Sequence, residues 1–91
     1  MNDNQLFRWL ANKKTDAENI IKTTEELGEL QQAISKYYFG EGSKNAVLEE
    51  MADVLISIRI MRVVYNISDY EFEDMVKQKM KRNIDRIQGD L

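Results

Sequence analysis

An all-α fold, an antiparallel bundle of four helices completed by oligomerisation, is the architecture this sequence predicts. Three observations carry it. Proline is absent, and apolar residues recur at helical spacing with no convincing alternation of period two. Glycine stands at positions 28, 40, 42 and 89, and three of these four fall where helices could end. The segment 54–64, VLISIRIMRVV, has eight apolar residues of eleven, spread all round a helix.

Residues 1–91 read as one helical domain. A short first helix covers about 3–13, with Leu6, Phe7 and Leu10 on one face. The second runs over 16–39, opened by the capping-box spacing of Thr15 and Glu18. Ile20, Leu27, Leu30, Ile34 and Tyr38 form its expected apolar stripe. GEGS at 40–43 breaks the chain, and Ser43 is the expected N-cap of a third helix over 44–65. NIS at 66–68 turns the chain again. The fourth helix covers 69–88, opened by Ser68 and Glu71 and ended by Gly89. Phe72, Val76, Met80, Ile84 and Ile87 make its apolar face. Short connections favour antiparallel neighbours. Four helices can hardly enclose an all-round apolar third one, so a second subunit is expected to cover it.

Composition removes much chemistry. The chain has no cysteine and no histidine, which excludes disulfides, thiolate or imidazole metal sites, and imidazole-assisted nucleophiles. A bound metal must be held by oxygen, which points to Mg²⁺, Mn²⁺ or Ca²⁺. The net charge of −3 argues against a general nucleic-acid surface. The N-terminus lacks the apolar core of a signal peptide, and 54–64 is too short and too charged to span a bilayer. A soluble, cytoplasmic protein with neither membrane nor nucleic-acid partner is expected.

Against this helical background stand EELGEL at 25–30 and EEMADV at 49–54. Residues three apart share a helix face, so Glu26 projects with Glu29, and Glu50 with Asp53. On a helical wheel Asp53 falls within the apolar stripe, between Ile56 and Ser57. Glu29 and Asp53 both lie roughly 14–15 Å from the intervening turn at the helical rise. The two acidic pairs are therefore expected at one height, with four carboxylates converging. Burial and like charge push such groups toward protonation, and unpaired buried charge is costly. A single Glu-x-x-Glu is ordinarily a solvated face; a second pair at matching height on an apolar helix calls for a cation. One or more divalent ions fit, and Mg²⁺ suits oxygen ligands and phosphate together. Glu25 and Glu49 read as the solvated members.

These residues resemble a known pattern. Glu26-x-x-Glu29, a gap of twenty residues, then Glu50-x-x-Asp53 is similar to the signature of the MazG-like all-α nucleoside triphosphate pyrophosphohydrolases. The flanking EELGELQQAI and EEMADVLI fit it, as does Lys22, one turn before Glu26. The resemblance covers roughly residues 15–88. It implies Mg²⁺-dependent cleavage of a nucleoside triphosphate between its α and β phosphates, giving a monophosphate and pyrophosphate. It implies Glu26, Glu29, Glu50 and Asp53 as metal ligands, with one carboxylate or a neighbour activating the attacking water. It also implies a homodimer or homotetramer.

On the fourth helix Lys79, Asn83 and Arg86 match a family Lys-x-x-x-Asn-x-x-Arg pattern that would bind phosphates. The plain alternative is a basic last turn complementing the helix dipole. Trp9 is the candidate to stack on a base, against an ordinary core or interface role. Tyr37, Tyr38 and Phe39 also either wall a pocket or pack.

Three other readings stand beside the hydrolase. Phosphoribosyl-ATP pyrophosphatases have a similar acidic pattern but usually carry a His after the final Asp motif, where this chain has VLIS. A non-catalytic helical oligomerisation or regulatory module could retain the metal site. A nucleic-acid-binding fourth helix is weaker, because its basic run at 77–82 is offset by Glu71, Glu73 and Asp74.

Overall fold

The computed structural model describes residues 1–89. It is all-helical over these residues: α1 (Asp3–Ala11), α2 (Asp16–Tyr38), α3 (Lys44–Val64) and α4 (Asp69–Gly89). Helix α4 continues to the last described residue, so the expected stop at Gly89 lies at the edge of the described chain.

Local chemistry sets the boundaries. Thr15 and Glu18 form the predicted capping box, the Glu18 N–H donating to Thr15 Oγ1 at 3.1 Å and the Thr15 N–H to Glu18 Oε1 at 3.1 Å. Ser43 accepts from the Ala46 N–H at 3.1 Å and so caps α3. Ser68 accepts from the Glu71 N–H at 3.1 Å, opening α4. A further capping box, Asn2 with Gln5, opens α1.

The turns after α2 and after α3 end a helix the same way. After α2, the Gly40 N–H donates to the Tyr37 carbonyl at 3.1 Å and the Glu41 N–H to the Lys36 carbonyl at 2.9 Å. After α3, the Asn66 N–H donates to Val63 at 3.1 Å and the Ile67 N–H to Arg62 at 2.8 Å. These are paired Schellman bonds, which require a left-handed residue after the cap. Gly40 supplies it at φ 80° and Asn66 at φ 54°. Gly42 is needed for space: a Cβ there would lie 3.1 Å from both Lys36 Cβ and the Tyr37 amide nitrogen.

Helix α1 ends at Ala11, two residues before the expected boundary. The Asn19 side-chain amide donates to the Ala11 carbonyl at 2.9 Å, and both residues are buried. That bond satisfies one of the carbonyls left open at the end of α1 and ties it to α2.

Packing departs from the sequence reading in three ways. Helices α2 and α3 pack as a hairpin, and α1 packs on α3. On α2 the least exposed positions include Asn19, Thr23, Glu26, Leu30 and Ala33, at alternating spacings of four and three. Leu27, Ile34 and Tyr38, expected in the buried stripe, are exposed. On α3 only Val54 and Ser57 are buried, and Leu55 and Ile56 face outward. Asp53, expected within the apolar stripe, is exposed. Small and polar side chains share the seam of this hairpin with Leu30 and Val54, while much of the large aliphatic surface lies outside it.

The third departure is α4, in which no residue is buried. Val76, Met80, Ile84 and Ile87 are exposed along its length. Its first turn is nevertheless tied down. Asp69 takes an ion pair from Arg62 and a 3.0 Å hydrogen bond from the Asn4 side-chain amide. The Arg62 guanidinium also lies 4.7 Å from the Phe72 ring centre. The Cα radius of gyration is 16.2 Å. A compact chain of this length would give roughly 12 Å. An α4 with no buried residue fits that extension.

Candidate metal centre

Glu26 and Glu29 lie one turn apart on α2, and Glu50 lies opposite them on α3. Each offers a carboxylate oxygen, and these oxygens all lie within 4.8 Å of one another. The hairpin therefore brings together three of the four predicted acids. Asp53 is exposed, like Glu29, and stands outside this closest group, but its charge still reaches Glu50.

The three acids sit in different environments. Glu26 is 5% exposed, Glu50 is half-buried and Glu29 is exposed. Lys22, one turn before Glu26, places its Nζ 2.8 Å from Glu26 Oε1. That pairing raises the Lys22 pKa, through the hydrogen bond first and the Glu26 charge second, so the ammonium is held charged. The other oxygen, Glu26 Oε2, is buried with no hydrogen-bond partner, and so is Glu50 Oε2. Two orphaned carboxylate oxygens beside a third acid are the arrangement a divalent cation would satisfy.

The Glu50 carboxyl is pushed above its ordinary value. Burial is the main cause, followed by the charges of Glu29, Asp53 and Glu26. A nearby cation would reverse the repulsion by giving each carboxylate an opposite charge.

A cavity of about 220 Å³ opens beside this group, lined in part by Glu29, Glu50, Glu49, Lys36 and Gln32. Glu49 accepts a 3.1 Å hydrogen bond from the Asn45 amide and borders the cavity. Lys36 was not singled out in the sequence. It lies seven residues after Glu29, two turns along the same face, which is the signal that could have found it.

The remaining predicted residues do not converge on the acids. Lys79, Asn83 and Arg86 lie on the exposed α4. Trp9 is half exposed on α1, with Lys13 Nζ 4.6 Å from its ring centre. Neither Trp9 nor the α4 residues line the cavity beside the acids.

A larger cavity of about 870 Å³ lies where α1, the end of α3 and the start of α4 meet. Arg8, Arg59 and Arg62 line it, and none was predicted as a site residue. For Arg59 and Arg62 the signal was present, since these two arginines interrupt the apolar run 54–64.

Compared with protein-family models, characterised proteins and solved structures, the chain gives no match.

Proposed function

We propose that this chain is a Mg²⁺-dependent, MazG-like nucleoside triphosphate pyrophosphohydrolase. The observation that carries the reading is the approach of Glu26, Glu29 and Glu50 within 4.8 Å, with two buried carboxylate oxygens lacking partners. Simple folding has no use for such a group. The donor set is all oxygen, which fits Mg²⁺ or, as a substitute, Mn²⁺.

In this reading Glu26, Glu29 and Glu50 hold the ion, and Asp53 completes the set from the margin. When bound, the metal supplies charge neutralisation for the phosphate oxygens. Lys22 occupies one oxygen of Glu26 and leaves the other for the ion. A carboxylate not fully engaged orients water and takes its proton. The water oxygen bonds to the α-phosphorus, the α–β bridging bond breaks, and monophosphate and pyrophosphate leave. Such transfer needs positioning and charge rather than a protein nucleophile, so the lack of His and Cys is no obstacle.

The oligomer belongs to the same proposal. Leu27, Ile34, Met51, Leu55 and Ile56 leave a wide apolar surface on the hairpin, and α4 carries its own exposed stripe. Surfaces of this kind mark subunit contacts. A homodimer or homotetramer would cover them. It would also give Lys79, Asn83 and Arg86 a route to a triphosphate, and Trp9 a route to a base.

The direct test is a panel of ribo- and deoxyribonucleoside triphosphates with Mg²⁺, assayed for pyrophosphate against orthophosphate. Pyrophosphate is the expected product, with activity lost in Glu29→Gln and strongly reduced in Asp53→Asn. Orthophosphate as the first product would reject α–β cleavage. Full activity in both variants would remove the site. Nucleotide binding without turnover across the panel would favour a non-catalytic module.

A further inference from the structure

The 220 Å³ cavity beside the acidic centre is a groove along one side of the α2–α3 hairpin. Glu29 and Glu50 stand at one end of it. Lys36 and Gly42 stand at the other, next to the turn. Glu29 and Lys36 are seven residues apart on α2, roughly 10 Å along the helix. Between them the lining includes Ala33 and Ala46, whose small side chains keep the groove open. Gly42 lets the turn abut Lys36, since a Cβ there would lie 3.1 Å from Lys36 Cβ.

The polar groups beyond the acidic end are of mixed type. Glu49 Oε1 accepts a 3.1 Å hydrogen bond from the Asn45 amide, which anchors the carboxylate. A carboxylate has about four acceptor sites, so most of them stay open. Lys36 lines the same groove and has no carboxylate within ion-pair distance among the described residues. The groove thus offers an anchored acceptor and a free donor. Three carboxylates, Glu29, Glu49 and Glu50, against one ammonium disfavour an anionic group away from the metal end. A neutral group with N–H donors beside a carbonyl fits there. The volume is below the roughly 300–1,000 Å³ of pockets that enclose a whole drug-sized ligand, so the groove takes part of one.

We propose that this groove reads the base of the nucleotide and selects guanine. On the hydrolase reading, on which this assignment rests, the acidic end holds the metal and the phosphates. Guanine carries two adjacent donors, N1–H and N2–H, with the O6 acceptor next to them on one edge. The two donors meet the two oxygens of Glu49, and Lys36 donates to O6. Adenine, cytosine and uracil lack that pair of adjacent donors. A site built to pair a substrate N–H is left with an unpaired acceptor by a base that has none, and so rejects it.

The test is calorimetric titration of the full chain in Mg²⁺ with the 5′-monophosphates of guanosine, inosine and adenosine. Inosine differs from guanosine only in lacking the N2 amino group. The guanosine nucleotide should bind about tenfold tighter than the inosine one, the loss of one charge-assisted hydrogen bond, and tighter still than the adenosine one. Glu49→Gln should erase the advantage of guanosine over inosine. Lys36→Met should weaken both of these alike, since both carry O6, and leave the adenosine nucleotide unaffected. Both positions are exposed, and circular dichroism checks that the variants fold. Equal affinity for the three nucleotides, or a guanosine preference retained in both variants, would overturn the assignment. Release of pyrophosphate at equal kcat/KM from every triphosphate would also overturn it while leaving the hydrolase reading in place. Failure of the wild type to bind Mg²⁺ or any nucleotide would end both.

Discussion

Glu26 is an ionisable side chain almost wholly out of water, and Lys22 reaches one of its two oxygens. That asymmetry gives opposite expectations for neighbouring substitutions. Lys22→Met removes the counter-ion from a buried carboxylate, so the melting temperature in EDTA should fall. Mg²⁺ should recover most of the loss, because the ion replaces the missing charge. Glu50→Gln should do the reverse. Glu50 titrates above its ordinary value in the folded chain, so the folded state holds its proton more tightly than the unfolded one. Its ionisation therefore costs stability as pH rises through that raised value. Replacing it by Gln should raise the melting temperature in EDTA at neutral pH and abolish the response to Mg²⁺. Thermal melts of the two variants with and without Mg²⁺ check both signs. At this scale the sequence was informative about which acids meet. It misplaced Asp53, because the wheel gave weight to Ile56 and Ile60, whereas the hairpin seam runs through Glu50, Val54 and Ser57.

Helix boundaries are the most legible feature, because caps are local chemistry. Thr15 with Glu18, Ser43, and Ser68 with Glu71 all act as their spacing implied. Thr15→Ala should destabilise the fold by about 1 kcal/mol in urea unfolding, the usual cost of a lost N-cap. The buried faces were less legible, since Asn19, Glu26 and Ser57 take seam positions that hydrophobic periodicity cannot flag. Asn19 is buried because its amide closes the end of α1, a long-range role with no sequence signature. The start of α4 depends on Asp69, whose carboxyl is held below its ordinary value. The Asn4 hydrogen bond is the main cause, helped by the charge and hydrogen bond of Arg62 and the charge of Arg59. A depressed carboxyl contributes stability above its unfolded value and loses it as pH falls through the folded one. Between pH 6 and 3 the wild type should therefore lose more stability than Asp69→Asn, as urea melts at each pH would show. Equal losses would mean that Asp69 contributes nothing at this junction.

For the whole molecule the sequence predicted four helices in one bundle, yet α4 stands away from the hairpin with no buried residue. The reason is physical. An apolar face read from sequence states that something must cover it, without saying which chain does. The exposed aliphatic surface of α2, α3 and α4 leads to a definite expectation for light scattering: a mass of two or four chains at micromolar concentration. A monomer there would remove the proposed cover.

The acidic centre itself is tested most directly by titrating the metal-free protein with Mg²⁺ in a calorimeter, beside Glu26→Gln and Glu50→Gln. Saturable binding to the wild type is expected, with loss in both variants. At one hundred times the dissociation constant, the bound ion should stabilise the fold by about 2.7 kcal/mol. No Mg²⁺ binding by the wild type, or undiminished binding by both variants, would contradict a metal site built from these carboxylates.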